Sequence, residues 1–180
     1  MNILGIDLAG KRTNSTGICI VYDNKIEFKT VHSDKQILNI TSEVNPDIIA
    51  IDAPIMHGKP RVRKVDKLLI KYRALPPSLP SMKSLTRRGS KLAAQLKTRY
   101  NVIEVFPTAT AKILGIYSNN YREVEEKLDV KVKNKHELDA YLCALTAMMF
   151  LEGDAIEVGS EDGKVIVPKS SIYKSNGNGD

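Results

Sequence analysis

The chain has no tryptophan, only three phenylalanines and only two cysteines among its 180 residues. Cys19 and Cys143 lie in apolar contexts without CxxC spacing, which excludes a disulfide framework and a thiolate zinc site and leaves two small buried residues. Three Phe beside seven Tyr give little scope for platforms on which bases stack. The longest apolar run, AYLCALTAMMFL at 140–151, is too short and too interrupted to span a bilayer. A basic stretch leading into a signal-like apolar segment is also missing from the N-terminus, so the expected location is the cytoplasm. No Pro/Gly/Ser linker or internal repeat divides the chain. With 42% hydrophobic residues it is read as one domain over 1–170, followed by a flexible tail over 171–180 that carries SNGNGD.

Acidic residues are missing from one stretch in particular. Residues 59–99 hold thirteen Lys and Arg against the single acid Asp66, a charge of +12, so the rest of the chain carries −6 of the net +6. Such a block is open to two readings, a solvated helical face or a surface that meets phosphates. The mixture of proline, serine and cations in LPPSLPSMKSLTRRGSK at 75–91 favours the second. Arg61, Arg63, Lys64, Arg87, Arg88 and Lys91 are the candidate contacts to nucleic acid.

What is present is a succession of short apolar runs. NILGIDL, TGICIVYD and KIEFKTV predict three antiparallel strands, the last two joined by a tight turn at Asp23 and Asn24. SDKQILNITSEV predicts a helix capped by Ser33, and PDIIAIDAP a strand buried on both faces. The basic segment follows as an insertion, with helical patterns near 62–73 and 85–100 on either side of a proline-rich loop. NVIEVFP is a further strand, and TATAKIL and YREVEEKL are helical patches. The strongest helix runs over 135–151, with Asn134 as N-cap and Glu137 in capping-box position; Ala140, Ala144 and Ala147 would let it lie close to a sheet. DAIEVG and KVIVP flank SEDG as a C-terminal hairpin. The fold class is α/β, a mixed sheet of three antiparallel strands continued by parallel ones, with flanking helices.

Three of these strands carry acids at or near their ends: Asp7, Asp52 and Glu104. Strand ends of an open α/β sheet converge on one rim, where sites are built. Taken singly, each acid also has an ordinary reading. Asp7 and Asp52 would be solvated strand ends, Glu104 the partner of a lysine, and Glu137 a helix cap. His136 reads either as a first-turn surface residue or as a group that orients water or protonates a leaving oxygen.

Taken together, GIDLAG with Thr16-Gly17, IDAP at 51–54, EVFP at 104–107 and HELDAYLCALTA at 136–147 resemble the domain-of-unknown-function family 429. The resemblance implies a ribonuclease-H-like fold and nuclease activity. Its site carries over to Asp7, to Asp52 or Glu104, and to Asp139 near the start of the last helix. Such a cluster implies Mg²⁺ or Mn²⁺, typically two ions about 3.5–4 Å apart, held while water attacks a phosphodiester in line. Without a cation the carboxylates would repel one another.

Two other readings stand beside this one. Sugar kinases and actin-like ATPases begin with a similar strand, acid and glycine turn, which GIDLAGKRTNSTG is similar to, but they duplicate the fold and this chain has no repeat. The other is a non-catalytic protein that binds nucleic acid.

Overall fold

Alternation decides which face of the sheet each side chain meets, and it runs through the whole architecture. The structure, a computed structural model, describes residues 1–23 and 25–169. Strands β1 (Asn2–Asp7), β2 (Thr16–Tyr22), β3 (Lys25–Val31), β4 (Ile48–Asp52) and β5 (Asn101–Glu104) form one sheet in the order β3-β2-β1-β4-β5. The first three are antiparallel neighbours; β4 and β5 continue parallel to β1. Asp23 takes the left-handed conformation that a tight turn demands, whereas Asn24 and the proposed tail lie outside the described residues.

Successive residues of a strand point to opposite faces. Ile3, Cys19, Ile48 and Ala50 therefore pack on one side, and Leu4, Ile6, Ile18, Ile49 and Ile51 on the other. Helix α6 (Lys135–Leu151) covers the first side, and α1 (Asp34–Val44) and α3 (Pro80–Leu96) the second. Ser33 caps α1 in a full capping box with Gln36. Both cysteines are free and buried, as their apolar surroundings predict, and burial pushes both thiols up from their ordinary values.

The basic segment folds as α2 (Lys64–Leu69), one 3₁₀ turn (Ile70–Tyr72) and α3. Helix α3 starts at Pro80, earlier than its apolar periodicity suggests, because the fixed φ of proline suits the first helical position. Helices α4 (Pro107–Ile113) and α5 (Tyr121–Lys127) lead to α6. The hairpin of β6 (Ala155–Ser160) and β7 (Gly163–Pro168) continues the sheet beyond β5 through one parallel bridge, Val105 with Ile166. No helix among the described residues is long and apolar enough to cross a membrane.

Candidate active site

The face rule places the acids. Asp7 has the parity of Ile3 and Gly5, and Asp52 that of Ile48 and Ala50, so both carboxylates project toward α6. They are also direct neighbours, since Asp7 pairs with Asp52 in the parallel register of β1 and β4. Asp139 comes down onto them from the first turns of α6.

Two glycines let the helix come this close. A Cβ on Gly5 would sit 2.1 Å from the Ala140 carbonyl oxygen, and one on Gly17 would sit 2.0 Å from that of His136. Here α6 rests on bare backbone. The helix start is fixed by Asn134, whose side chain accepts the Glu137 N–H at 3.0 Å. Glu137 does not return the bond to the cap residue. Its buried carboxylate accepts the Lys133 N–H at 2.8 Å and the Thr30 hydroxyl at 3.2 Å, tying the helix start to β3. Gly17→Ala is therefore expected to push His136 and Asp139 off the sheet. It should cost about 1–3 kcal/mol of stability by overpacking and weaken any metal-dependent stabilisation as well. Calorimetry with and without divalent metal checks both effects.

Each outer carboxylate has a cationic partner from α6. His136 Nδ1 lies 2.7 Å from Asp7 Oδ2, and since a carboxylate only accepts, the ring donates. That bond holds the imidazole pKa above its ordinary value. Lys135 forms an ion pair with Asp139 one turn away. Burial opposes its charge, but Asp139, Asp7 and Asp52 outweigh burial and raise its pKa. Lys135 was not among the residues the motifs pointed to, although its i,i+4 spacing to Asp139 is plain in the sequence.

Asp52 stands between them. Among the described residues no donor hydrogen-bonds its carboxylate and no basic side chain comes within salt-bridge distance. Burial, then the charges of Asp7 and Asp139, pushes its carboxyl well above the usual range. Burial also raises Asp139, with Lys135 opposing and Asp7 adding to the shift. No three His, Cys, Asp or Glu side chains among the described residues close on one point as a ready-made metal cage would. His136 and Lys135 each draw one carboxylate to themselves.

Glu104 is not part of this group. It stands in register with Ile51, on the face opposite Asp52. There both its oxygens are taken by Arg63, at 2.6 and 2.7 Å, and it also accepts the Ile55 N–H at 2.7 Å. Glu104 is therefore withdrawn from the candidate metal ligands; its ordinary reading as an ion-pair partner holds, with an arginine forty-one residues upstream in place of a lysine. Arg63 must likewise be withdrawn from the phosphate contacts. It is 2% exposed and also bonds Asp66. Burial weakens its charge, yet the bonds from the two carboxylates keep its pKa above the ordinary value.

Arg88 is withdrawn for a similar reason. Its guanidinium is nearly buried and bonds Asp34, the Ala9 carbonyl and the His32 carbonyl at 2.6–2.8 Å. It pins the turn behind Asp7 and has no face left for a phosphate. Arg61, Lys64, Arg87 and Lys91 do lie at the surface. Helix α3 packs on the sheet through Gly89, where a Cβ would meet that of Ala53, just after Asp52, and near Ser84, whose Oγ a Cβ on Gly10 would meet; Arg87 and Lys91, each two positions from Gly89, face away from that contact into solvent.

No family model matches the chain, and no curated protein matches it in sequence. Among solved structures it is similar to T. thermophilus RuvC in complex with a Holliday junction substrate, with a TM-score of 0.52 and 16% identity over 85% of this chain and 97% of that one. The fold is ribonuclease-H-like. In this ribonuclease-H-like sheet the acids stand at the ends of two adjacent parallel strands, the rim on which open α/β folds build sites.

Proposed function

We propose that the chain is a cytoplasmic, Mg²⁺- or Mn²⁺-dependent nuclease that hydrolyses phosphodiester bonds of nucleic acid at Asp7, Asp52 and Asp139. One observation carries the reading: Asp7 and Asp52 stand side by side beneath Asp139, and among the described residues Asp52 has no donor of its own. A partly buried carboxylate pressed by two others, with Lys135 acting on it only from its pair with Asp139, fits a hard cation, for which oxygen ligands are preferred. The motifs shared with the domain-of-unknown-function family 429 support the same reading, and membership of that family is part of the proposal.

Asp7, Asp52 and Asp139 would hold the ions, which supply a polarised phosphate and a water acidified enough to attack it. The remaining work falls to the chain's own side chains. His136, half-exposed beside Asp7 and with its pKa raised, holds a proton at Nδ1 and is placed to give one up to the departing oxygen. Lys135 keeps Asp139 in place and adds positive charge to a rim that must accept phosphate. Arg87 and Lys91 on α3, with Arg61 just before α2 and Lys64 at its first position, would offer exposed positive charge to the nucleic-acid backbone.

Cleavage of labelled DNA and RNA substrates in Mg²⁺ and Mn²⁺ tests the reading, with four-way junctions included because the similar RuvC structure holds one. Wild-type protein should cut at least one of them, and Asp7→Asn should cut it far more slowly. Two further results are expected. Saturating Mg²⁺ or Mn²⁺, at about 100 times its Kd, should add about 2.7 kcal/mol and raise the Tm by roughly 5–10 °C. Asp52→Asn should melt higher than wild type without metal, since one buried repelling charge is gone, and should lose the response to metal; a wild-type response would remove Asp52 from the site.

In salt titrations, Arg87→Ala with Lys91→Ala should flatten the slope of log K against log salt by one to two contacts, about 0.7–0.9 units for each. Arg88→Ala should instead lower the Tm, because its three bonds hold the fold together.

A further inference from the structure

Beside the carboxylates, on the far side of Lys135 and Asp139, lies a cavity of about 130 Å³. Its floor is apolar, formed by Leu138 and Leu142 of α6, both 2% exposed. Tyr117 and Tyr121 stand on its walls, half-buried. The Tyr117 hydroxyl donates to Asn119 Oδ1 at 2.9 Å and accepts from Arg73, which fixes the ring. Cations lie over both tyrosine rings. Lys112 Nζ is 4.9 Å from the centre of the Tyr117 ring, the Arg73 guanidinium 5.9 Å, and Arg122 lies 4.7 Å from that of Tyr121.

The features select a narrow class of ligand. Pockets for whole small molecules run to about 300–1,000 Å³, so this one takes a single planar ring system. Two tyrosines over an apolar floor favour the flat face of an aromatic ring, while the surrounding cations favour something carrying phosphate. Lys135 and Asp139 belong both to this cavity and to the candidate active site, so the ring and the reacting phosphate would be close neighbours on one strand.

We propose that the cavity receives one unpaired nucleobase adjacent to the phosphodiester that is cut. The inference rests on the nuclease reading above and narrows its substrate. A base inside a continuous duplex has both faces covered by its neighbours and cannot enter such a cavity without leaving the stack. The preferred substrate is therefore nucleic acid with an unstacked nucleotide at the cleavage point, as in a bulge, a fork or a strand end. The scarcity of aromatic residues hides this in the sequence, because two of seven tyrosines suffice once the fold brings them to the same wall.

The test measures binding in EDTA, so that no cleavage intervenes, of fluorescein-labelled duplexes that differ only by one unpaired nucleotide, in a DNA and an RNA series. Wild-type protein should prefer the unpaired form by about 5- to 100-fold in at least one series, the worth of one base stacked on an aromatic side chain. Tyr117→Leu/Tyr121→Leu should bind both forms alike with the affinity for paired duplex unchanged, and Tyr117→Phe/Tyr121→Phe should keep the preference. If the leucine variant does not fold, wild type decides alone, with 2-aminopurine at the unpaired position: its emission must change on binding. Equal affinity for paired and unpaired forms, or unchanged emission, overturns the inference while cleavage of paired duplex still upholds the nuclease reading. Failure to bind or cut any nucleic acid overturns both.

Discussion

Asp7→Asn is expected to bind nucleic acid as wild type does and to cleave it about three orders of magnitude more slowly. The amide is isosteric, and neither Ala9 nor the β1 backbone depends on the carboxylate, since the turn is held by Arg88 and by Thr16, which accepts the Ala9 N–H. What the substitution removes is one negative oxygen pair beside Asp52 and the acceptor for His136. Removing a single group that stabilises transition-state charge usually costs about 10²–10³-fold, and under the proposed nuclease function, where Asp7 would both hold a cation and orient a proton donor, the loss should reach the upper end or beyond. Single-turnover cleavage beside equilibrium binding separates the two effects. Wild-type cleavage by the variant would leave Asp7 a structural strand end and remove the nuclease reading with it.

Arg63→Ala is expected to cost about 3–5 kcal/mol, which for a chain of this size lowers the Tm by roughly 10 °C or more. The guanidinium lies between Asp66 and Glu104 with five hydrogen bonds to the two carboxylates, and the side chain is 1% exposed. Truncation strands Glu104 and Asp66 as buried charges without their cation. Arg63→Lys should rescue little, because a point ammonium cannot reproduce the two-pronged contact. Arg63→Met with Glu104→Leu and Asp66→Leu should recover most of the loss, since an apolar trio of similar volume leaves no buried charge unpaired. Thermal melts of the three variants give the order. A single-residue loss below 1 kcal/mol would mean that water replaces the arginine at no cost.

The two acids that meet were visible in the sequence, and so was the helix that covers them. NILGID and IIAID each end a run buried on both faces with an acid at the same parity, and Asn134 marks where the last helix starts. The third strand acid was misplaced because parity is relative. VIE looks like the others, and only the pairing of Ile51 with Glu104 shows that its acid points the other way. The cations failed for a different reason. Arg63, Arg88, Arg61 and Arg87 are chemically alike, and what separates them is whether an acid far along the chain, Glu104 at 41 positions from Arg63 or Asp34 at 54 from Arg88, waits at the place where they fold. A charge count has no access to that.

The glycine contacts under α6 also bear on how the protein is made. Residue 7 and residue 139 must share one rim, and the helix joining them is complete only at Leu151, so on a ribosome adding about 5–20 residues per second the earliest strand waits roughly 7–30 s for its cover. Throughout that interval the growing chain exposes Ile3, Gly5 and Cys19, an apolar face with a shallow trough where a helix backbone belongs. Charged residues on the outer strand, Lys25, Glu27 and Lys29, guard its open edge against pairing with another nascent chain. Synthesis therefore leaves the rim of Asp7, Asp52 and Asp139 until nearly last, and a chain released before residue 151 would contain the sheet, the basic helix and Asp52 without the complete helix that brings Asp139 onto them.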